Sequence, residues 1–106
     1  MLSQYRLLWV MVFFDLPVGT KKERQKATAF RNNLLDLGFE MAQFSVYMKH
    51  CAGKEQADSL LRKIKIKVPE IGNVKILRIT DKQFASIEHL GQNNQPQIRY
   101  EQLGLF

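Results

Sequence analysis

Asp15 is the residue of this chain whose type and position most suggest chemistry. It follows the apolar run Leu7–Phe14 and precedes Leu16-Pro17. An acidic side chain at the point where a buried strand meets a loop is more often reached by solvent and ligands than one within the strand. Its carboxylate could bind Mg²⁺, which commonly takes one or two carboxylates and completes its shell with water and substrate phosphate.

One carboxylate does not hold Mg²⁺ alone, and no second acidic residue stands at an obvious spacing from Asp15. Two copies of Asp15 facing each other near a twofold axis would supply the pair. An ion bound there could polarise a phosphodiester and activate a water molecule for hydrolysis of nucleic acid. The alternative is an aspartate that only forms a turn before Leu-Pro by binding local amides. The residue types leave both interpretations open.

Basic residues are the second candidate group. The chain has a formal net charge of +6, which favours polyanionic partners such as nucleic acid. The alternative is that these side chains form ordinary solvated helix faces, although dimerisation would double both groups and favour a phosphate-binding track. The candidates for nucleic-acid binding are Lys21, Lys22, Arg24, Lys26 and Arg31, and a second basic group comprises Arg62, Lys63, Lys65 and Lys67.

Other chemistry is weakly indicated. His50 stands beside Cys51, but no further ligands occur at a recognised metal spacing. We therefore expect both residues to fill space in the fold without a chemical role. A single cysteine excludes an intrachain disulfide and favours a reducing compartment, and we therefore predict a cytoplasmic protein. No run approaches the ~20 apolar residues of a membrane span. Glycine-rich phosphate loops and other cofactor-binding motifs are absent.

The first half of the chain predicts the elements that position Asp15. Leu7–Phe14 is apolar on both faces, as expected of a strand buried on both sides. Thr20 and Glu23 form a capping box that begins a helix predicted over Lys21–Leu37, and Gly38 is expected to end it. A stripe at helical spacing supports this helix and comprises Ala27, Phe30, Leu34 and Leu37.

The second half predicts two more strands and a second helix. Phe39–Lys49 alternates as one bent strand or as two strands with a turn near Gln43–Ser45. The second helix is expected to finish at Val68, because Pro69 follows it. Val74–Thr80 is predicted to be a strand. The following segments are a helical turn and a short extended piece within Asp81–Leu90, a polar hinge, and a docking tail with apolar residues over Ile98–Phe106.

This order predicts an α+β fold, the ferredoxin-like βαββαβ sandwich, with an extra C-terminal strand or tail. Two right-handed crossovers place both helices on one face of an antiparallel sheet, and the first strand lies in the middle. The other face carries Trp and Phe side chains without a covering helix, which predicts a sheet-to-sheet homodimer. We expect one ferredoxin-like domain over residues 1–92, followed by the hinge and tail over residues 93–106.

Three segments resemble the CRISPR-associated protein two family. Their amino-acid sequences are similar in kind to members found in type II systems. Val12-Phe13-Phe14-Asp15-Leu16-Pro17 is similar to the family's first strand, which ends in a metal-binding aspartate. Gly38–Tyr47 is similar to its second signature, a Gln-aromatic-Ser-Val-aromatic run, and Ile79–Phe84 to the turn after its fourth strand. The spacing agrees through Leu90.

The resemblance implies a homodimer in which the two copies of Asp15 share a divalent ion, Mg²⁺ or another. It also implies a small subunit of the CRISPR adaptation complex that bridges two dimers of the CRISPR integrase and binds double-stranded DNA during spacer acquisition. Family members have been assigned endonuclease activity on single-stranded RNA or double-stranded DNA, which the integration role does not require. Some nuclease-active members carry arginine where Met41 stands here, and this weakens the case for strong catalysis.

Two other functions fit the same predicted fold. One is a stand-alone ribonuclease toxin of the virulence-associated protein D type. The other is a ferredoxin-like regulatory domain that senses a small molecule. The three differ in what they bind: the adaptation subunit should bind an integrase, the toxin should need Asp15 for its effect on growth, and the regulatory domain should bind nucleic acid poorly.

Overall fold

The computed structural model describes residues 8–91, which form four strands and three helices. The predicted hinge and tail over residues 93–106 lie outside the described residues. In chain order the elements are β1 (Leu8–Asp15), α1 (Lys21–Asp36), β2 (Glu40–Gln43), β3 (Val46–Cys51), α2 (Lys54–Lys67), β4 (Asn73–Thr80) and α3 (Asp81–Ala85).

The strands form one sheet in the order β2-β3-β1-β4. Each neighbouring pair is antiparallel, and β1 lies in the interior between β3 and β4. This is the ferredoxin-like α+β arrangement predicted from the sequence. The central position of β1 explains why its sequence is apolar on both faces.

Alternate residues of β1 face opposite sides of the sheet. Val10 and Val12 are fully buried beneath the helices, where they pack in a core with Phe30 and Leu34 of α1 and Ile64 of α2. The other side carries no long helix, and we call it the open face. Its apolar residues are Trp9, Met11 and Phe13 of β1, Val46 and Met48 of β3, and Leu77 and Ile79 of β4.

The observed boundaries of the helices and strands agree closely with those predicted from the sequence. The capping box is present at the start of α1, with the Thr20 hydroxyl accepting from the Glu23 amide at 3.1 Å. Gly38 has φ +95°, the left-handed conformation expected after a helix end. The β2–β3 connection is a two-residue turn over Phe44 and Ser45, so the stretch forms two strands rather than one.

One expectation was wrong. The short extended piece predicted at the end of Asp81–Leu90 forms no strand, and residues 87–90 have no regular structure. The physical reason is the position of α3. It contacts β1 as well as β4 and stacks Phe84 on Trp9, so the chain has left the edge of β4 before residue 87.

An ion-pair cluster ties α2 to β4. The Asp58 carboxylate lies 2.9 Å from the Lys54 ammonium and 2.6 Å from a guanidinium nitrogen of Arg78. The hydrogen bonds from Lys54 and Arg78 hold the pKa of Asp58 below its ordinary value. The cluster therefore pairs two of the chain's cations with a carboxylate and removes them from the set available to a ligand.

Gly72 allows the α2–β4 loop to approach the end of β1. Its φ is +124°, and a Cβ added there would lie 2.6 Å from Leu16 Cδ2 and 3.1 Å from the Asp15 carbonyl oxygen. L-residues rarely adopt this conformation, and the second neighbour is backbone that does not move aside. Glycine is therefore required beside Asp15.

We predict that Gly72→Ala lowers the free energy of unfolding by ~1–3 kcal/mol, the range for a residue held in a sparsely populated backbone region. Gly91→Ala is the matched control, because Gly91 also has a positive φ of +68° but no atoms lie near its Cβ position. Urea denaturation followed by far-UV circular dichroism measures both. Equal losses in the two variants would show that the contact with Asp15 and Leu16 does not matter.

Candidate nucleic-acid and metal site

Asp15 lies at the end of β1 on the side of the open face. The strand pairing continues to this residue, which stands opposite Asn73, so the alternation that places Phe13 on the open face places Asp15 there too. The residue is exposed. Among residues 8–91 its carboxylate makes no hydrogen bond or ion pair, and the amides of the following turn do not bind it. The carboxylate is therefore available to a ligand.

Two residues of β4 that the sequence analysis missed share this end of the open face. Asn73 stands opposite Asp15, and Lys75 stands opposite Phe13, which makes Lys75 the diagonal neighbour of Asp15. Diagonal neighbours lie ~7–8 Å apart, within reach of a long side chain. A carboxylate, an amide and an ammonium thus converge where a phosphate with a bound cation could be held. In the sequence, the alternation of Lys75, Leu77 and Ile79 indicates that these residues share one face of a strand.

An exposed aromatic residue lies at the same end of the sheet. Phe44 occupies the β2–β3 turn with 84% of its surface exposed. The Phe14 amide donates to the carbonyl of Ser45 at 3.1 Å, which fixes this turn next to the end of β1. Ser45 has φ +64°, an uncommon conformation for a residue other than glycine. An exposed ring near a phosphate-binding group can stack on a nucleic-acid base.

The structure separates the five basic residues proposed for nucleic-acid binding. Arg24 donates to the carbonyl oxygens of Val18 and Gly19, at 3.1 and 3.4 Å, and so holds the loop before α1. Arg31 is half-buried near Tyr47; burial raises the pKa of Tyr47, and the charge of Arg31 partly offsets that rise. Lys21, Lys22 and Lys26 are exposed and make no such bond, and Arg24 is exposed as well. All five lie on α1, on the opposite side of the sheet from Asp15.

The described residues do not form a complete metal site by themselves. Within residues 8–91, no three His, Cys, Asp or Glu side chains come together in a way that could hold an ion. His50 and Cys51 do not form a site, since consecutive strand residues face opposite sides. Cys51 is fully buried, and burial raises the pKa of its thiol, so the thiol stays protonated at neutral pH. Asp15 is the carboxylate that the described part of β1 presents to a hard cation at this end of the sheet.

Comparison with known proteins identifies the family. A family model described as CRISPR associated protein Cas2 matches residues 8–87. The chain belongs to the Cas2 family. It is 49% identical to a CRISPR-associated endoribonuclease Cas2 of Paracidovorax avenae, over all of both chains. It is 51% identical to one of Flavobacterium psychrophilum, over 82% of this chain and 76% of that relative.

Solved Cas2 structures share the fold. A Cas2 crystal structure matches with a TM-score of 0.59 and 23% identity, covering 85% of this chain and 93% of that one. Cas2 of Streptococcus pyogenes, crystallised at pH 6.5, matches with a TM-score of 0.58 and 18% identity, covering 78% and 99%. No helix within residues 8–91 of this Cas2 family member has the length and apolar character needed to cross a membrane.

Met41 adopts an apolar role in this Cas2 family member. It stands opposite Tyr47 in the β2–β3 pair and packs, half-buried, against the core. Some nuclease-active members of the family that the sequence resembles carry arginine at this position. Here a thioether fills core space instead, and the site at Asp15 receives no charge from position 41.

The end of the open face remote from Asp15 is covered by α3. The Trp9 indole nitrogen donates to Asp81 Oδ1 at 2.8 Å, and its ring stacks on Phe84 with centroids 3.8 Å apart. His50 completes the cluster, with its ring centroid 4.9 Å from that of Trp9 and Nε2 3.6 Å from Asp81 Oδ1. Trp9, which lies on the face predicted to form the dimer interface, is thus held by contacts within its own chain.

We predict that Asp81→Ala loosens α3 from the sheet, because it removes the acceptor of the indole hydrogen bond and an N-terminal carboxylate of the helix. The emission of Trp9, the one tryptophan of the chain, should shift to longer wavelength as water reaches the ring. Lys82→Ala, also exposed on α3, is the control and should leave the spectrum unchanged. An unshifted spectrum in Asp81→Ala would mean that stacking on Phe84 alone holds the ring.

Proposed function

We propose that this chain is the small homodimeric subunit of a CRISPR adaptation complex. In this role it bridges dimers of the CRISPR integrase and binds double-stranded DNA, and its two Asp15 carboxylates form a Mg²⁺-dependent endonuclease site. The observation that carries the proposal is the position of Asp15: an exposed carboxylate without a partner in residues 8–91, at one end of an apolar open face. Membership of the Cas2 family supports the adaptation role.

The distribution of apolar surface supports a dimer centred near Asp15. Because α3 covers the Trp9 end, the uncovered apolar part of the open face lies toward Asp15 and includes Met11, Phe13 and Leu77, the last 48% exposed. Contiguous exposed apolar patches mark interaction sites, and a twofold interface uses the same patch on both chains. A twofold axis through this part of the face would bring the two Asp15 residues toward each other.

The residues at this end fit a hard cation shared by two chains. Two carboxylates with water and phosphate oxygens satisfy Mg²⁺, which when bound would activate a water molecule for attack on phosphorus. Asn73 and Lys75 are placed to hold the phosphate, and Phe44 to stack on a base. The relatives named endoribonuclease favour RNA as one substrate, and the adaptation role favours double-stranded DNA.

The stand-alone toxin remains the second candidate, since the name endoribonuclease on the relatives fits it as well. Expression in a host that lacks a CRISPR integrase distinguishes the two candidate functions. A toxin arrests growth and loses this effect with Asp15→Asn. An adaptation subunit is tolerated, and the integrase of its own locus binds it.

We predict that Leu77→Glu raises the dimer dissociation constant by about a hundredfold or more, since a buried unpaired charge costs ~3 kcal/mol or more. Leu77 is already exposed in one chain, so the monomer should fold normally. Ile66→Glu is the control: Ile66 is 78% exposed on α2, on the helix side of the sheet. Sedimentation equilibrium measures both variants. A Leu77→Glu dimer as tight as wild type would rule out the open face as the interface.

We predict that Asp15→Asn lowers Mg²⁺-dependent cleavage by about a hundredfold or more while dimerisation and integrase binding persist, because the amide loses the charge that binds the ion. Asp36→Asn, at the far end of α1 and exposed, is the control. Cleavage of duplex DNA and of single-stranded RNA is followed with and without Mg²⁺. Full activity in Asp15→Asn would place the nuclease site elsewhere. Absent cleavage in wild type, with integrase binding intact, would remove only the nuclease function.

A further inference from the structure

A groove separates the two long helices on the side of the protein opposite the open face. It lies where α2 ends, between Lys26, Ala29 and Phe30 of α1 and the segment Lys67–Glu70, and its volume is about 280 Å³. A smaller cleft continues it toward the end of β1 and shares Lys26 and Pro69 with it. The groove is therefore a continuous surface feature built from α1 and the α2–β4 loop.

The walls of the groove are largely apolar. Ala29 is exposed, Val68 is 37% exposed, and Pro69 lies between the two clefts. Ile71, 69% exposed, extends this surface into the smaller cleft. Within residues 8–91 no side chain covers these groups. A pocket of this size and character can accept an apolar side chain of a partner.

The rim of the groove is positively charged. Lys26 and Lys67 flank it from opposite sides, and Lys22 and Lys63 lie one helical turn away on the same sides. None of these four forms an ion pair with residues 8–91, in contrast to Lys54 and Arg78. The nearby acidic group Glu23 accepts from the Thr20 amide in the capping box. Glu70 is the other carboxylate in the lining, so cations dominate the rim.

The groove suits carboxylates on a protein better than phosphates of a nucleic acid. It lies at the C-terminal end of α2, where the helix dipole and free carbonyl groups disfavour any anion, phosphate or carboxylate, seated in the cleft itself. Pro69 contributes no amide, and the apolar walls offer no hydrogen bond to a phosphate oxygen. The arrangement instead matches an apolar side chain in the cleft with acidic neighbours against the lysines.

We propose that this groove is the docking site for the integrase subunit, which inserts a segment carrying an apolar side chain flanked by carboxylates. The inference rests on the proposed function and adds the surface and the chemistry of contact. The groove lies on the helix side, so sheet-to-sheet dimerisation leaves it free. The twofold axis then gives each dimer two equivalent grooves, as bridging two integrase dimers requires.

The test uses the full-length dimer, the integrase subunit encoded in the same locus, and a short DNA duplex of mixed sequence as separate probes. Ala29→Trp fills the cleft from an exposed position, and Thr28→Trp adds the same ring on an exposed residue of α1 outside the lining. Lys26→Glu with Lys67→Glu reverses the rim. Lys65→Glu with Lys82→Glu makes the same charge change on exposed residues outside the groove.

Isothermal titration calorimetry should show that Ala29→Trp and the rim reversal each weaken integrase binding by about tenfold or more, a typical effect of losing one buried anchor. Ala29→Trp should leave DNA affinity unchanged, and both controls should bind the integrase like wild type. Integrase binding unaffected by Ala29→Trp overturns the docking site and leaves the proposed function standing.

Two further outcomes overturn the inference in different ways. If the rim reversal weakens DNA binding, and Ala29→Trp weakens neither probe, the lysines serve phosphate and the cleft serves no partner. If wild type does not bind the integrase at all, the proposed function fails and the docking site fails with it. Circular dichroism of every variant confirms that the fold is intact before the affinities are compared.

Discussion

The structure depends on the burial of one side of β1 beneath the two long helices. Val10 and Val12 are fully buried there, and they fix which residues of the strand face the other way. A shift of one residue in strand register would exchange the two sets and expose the core valines. The same constraint that forms the core therefore places Asp15 on the open face. Folding and site geometry are in this sense determined together.

The open face is shared between the chain itself and the proposed partner copy. At one end α3 holds Trp9 by a hydrogen bond to Asp81 and by stacking on Phe84. At the other end the apolar residues stay uncovered within residues 8–91 and lead to Asp15. An aromatic residue of this size would otherwise extend the exposed patch over the whole strand. The position of α3 would thus restrict the proposed self-association to the half of the face that contains the carboxylate.

Local signals in the sequence predicted most of the fold. The capping box at Thr20, the glycine at 38 and the proline at 69 each act within a few residues, and the structure confirms the helix ends that they indicate. Asp15 could be singled out because its strand and its loop are adjacent in sequence. These features need no knowledge of which strands pair.

The neighbours of Asp15 could not be predicted in the same way. Asn73 and Lys75 reach it through the pairing of β1 with β4, which joins residues about sixty positions apart and is set by the whole sheet. The hydrogen bonds of Arg24 depend on carbonyl groups of the loop before α1. The docking of α3 depends on a side-chain contact across 72 positions, from Trp9 to Asp81. Which distant residues become neighbours is determined by long-range strand register and loop geometry. Local secondary-structure propensities do not contain this information.

Charge shows why the composition alone misleads about function. The formal excess of +6 suggests a uniformly basic surface. However, Arg78 and Lys54 are paired with Asp58, and one guanidinium nitrogen of Arg24 donates to its own loop. Within residues 8–91, lysines without an ion-pair partner include Lys22, Lys26, Lys63 and Lys67 around the interhelical groove, and Lys75 beside Asp15. A field concentrated in this way steers a partner to a particular surface, whereas an even distribution would only raise solubility and nonspecific binding. The two sides of the sheet are thereby suited to different ligands: an apolar face with one carboxylate for a second copy of the chain, and an apolar cleft with a basic rim for an acidic protein.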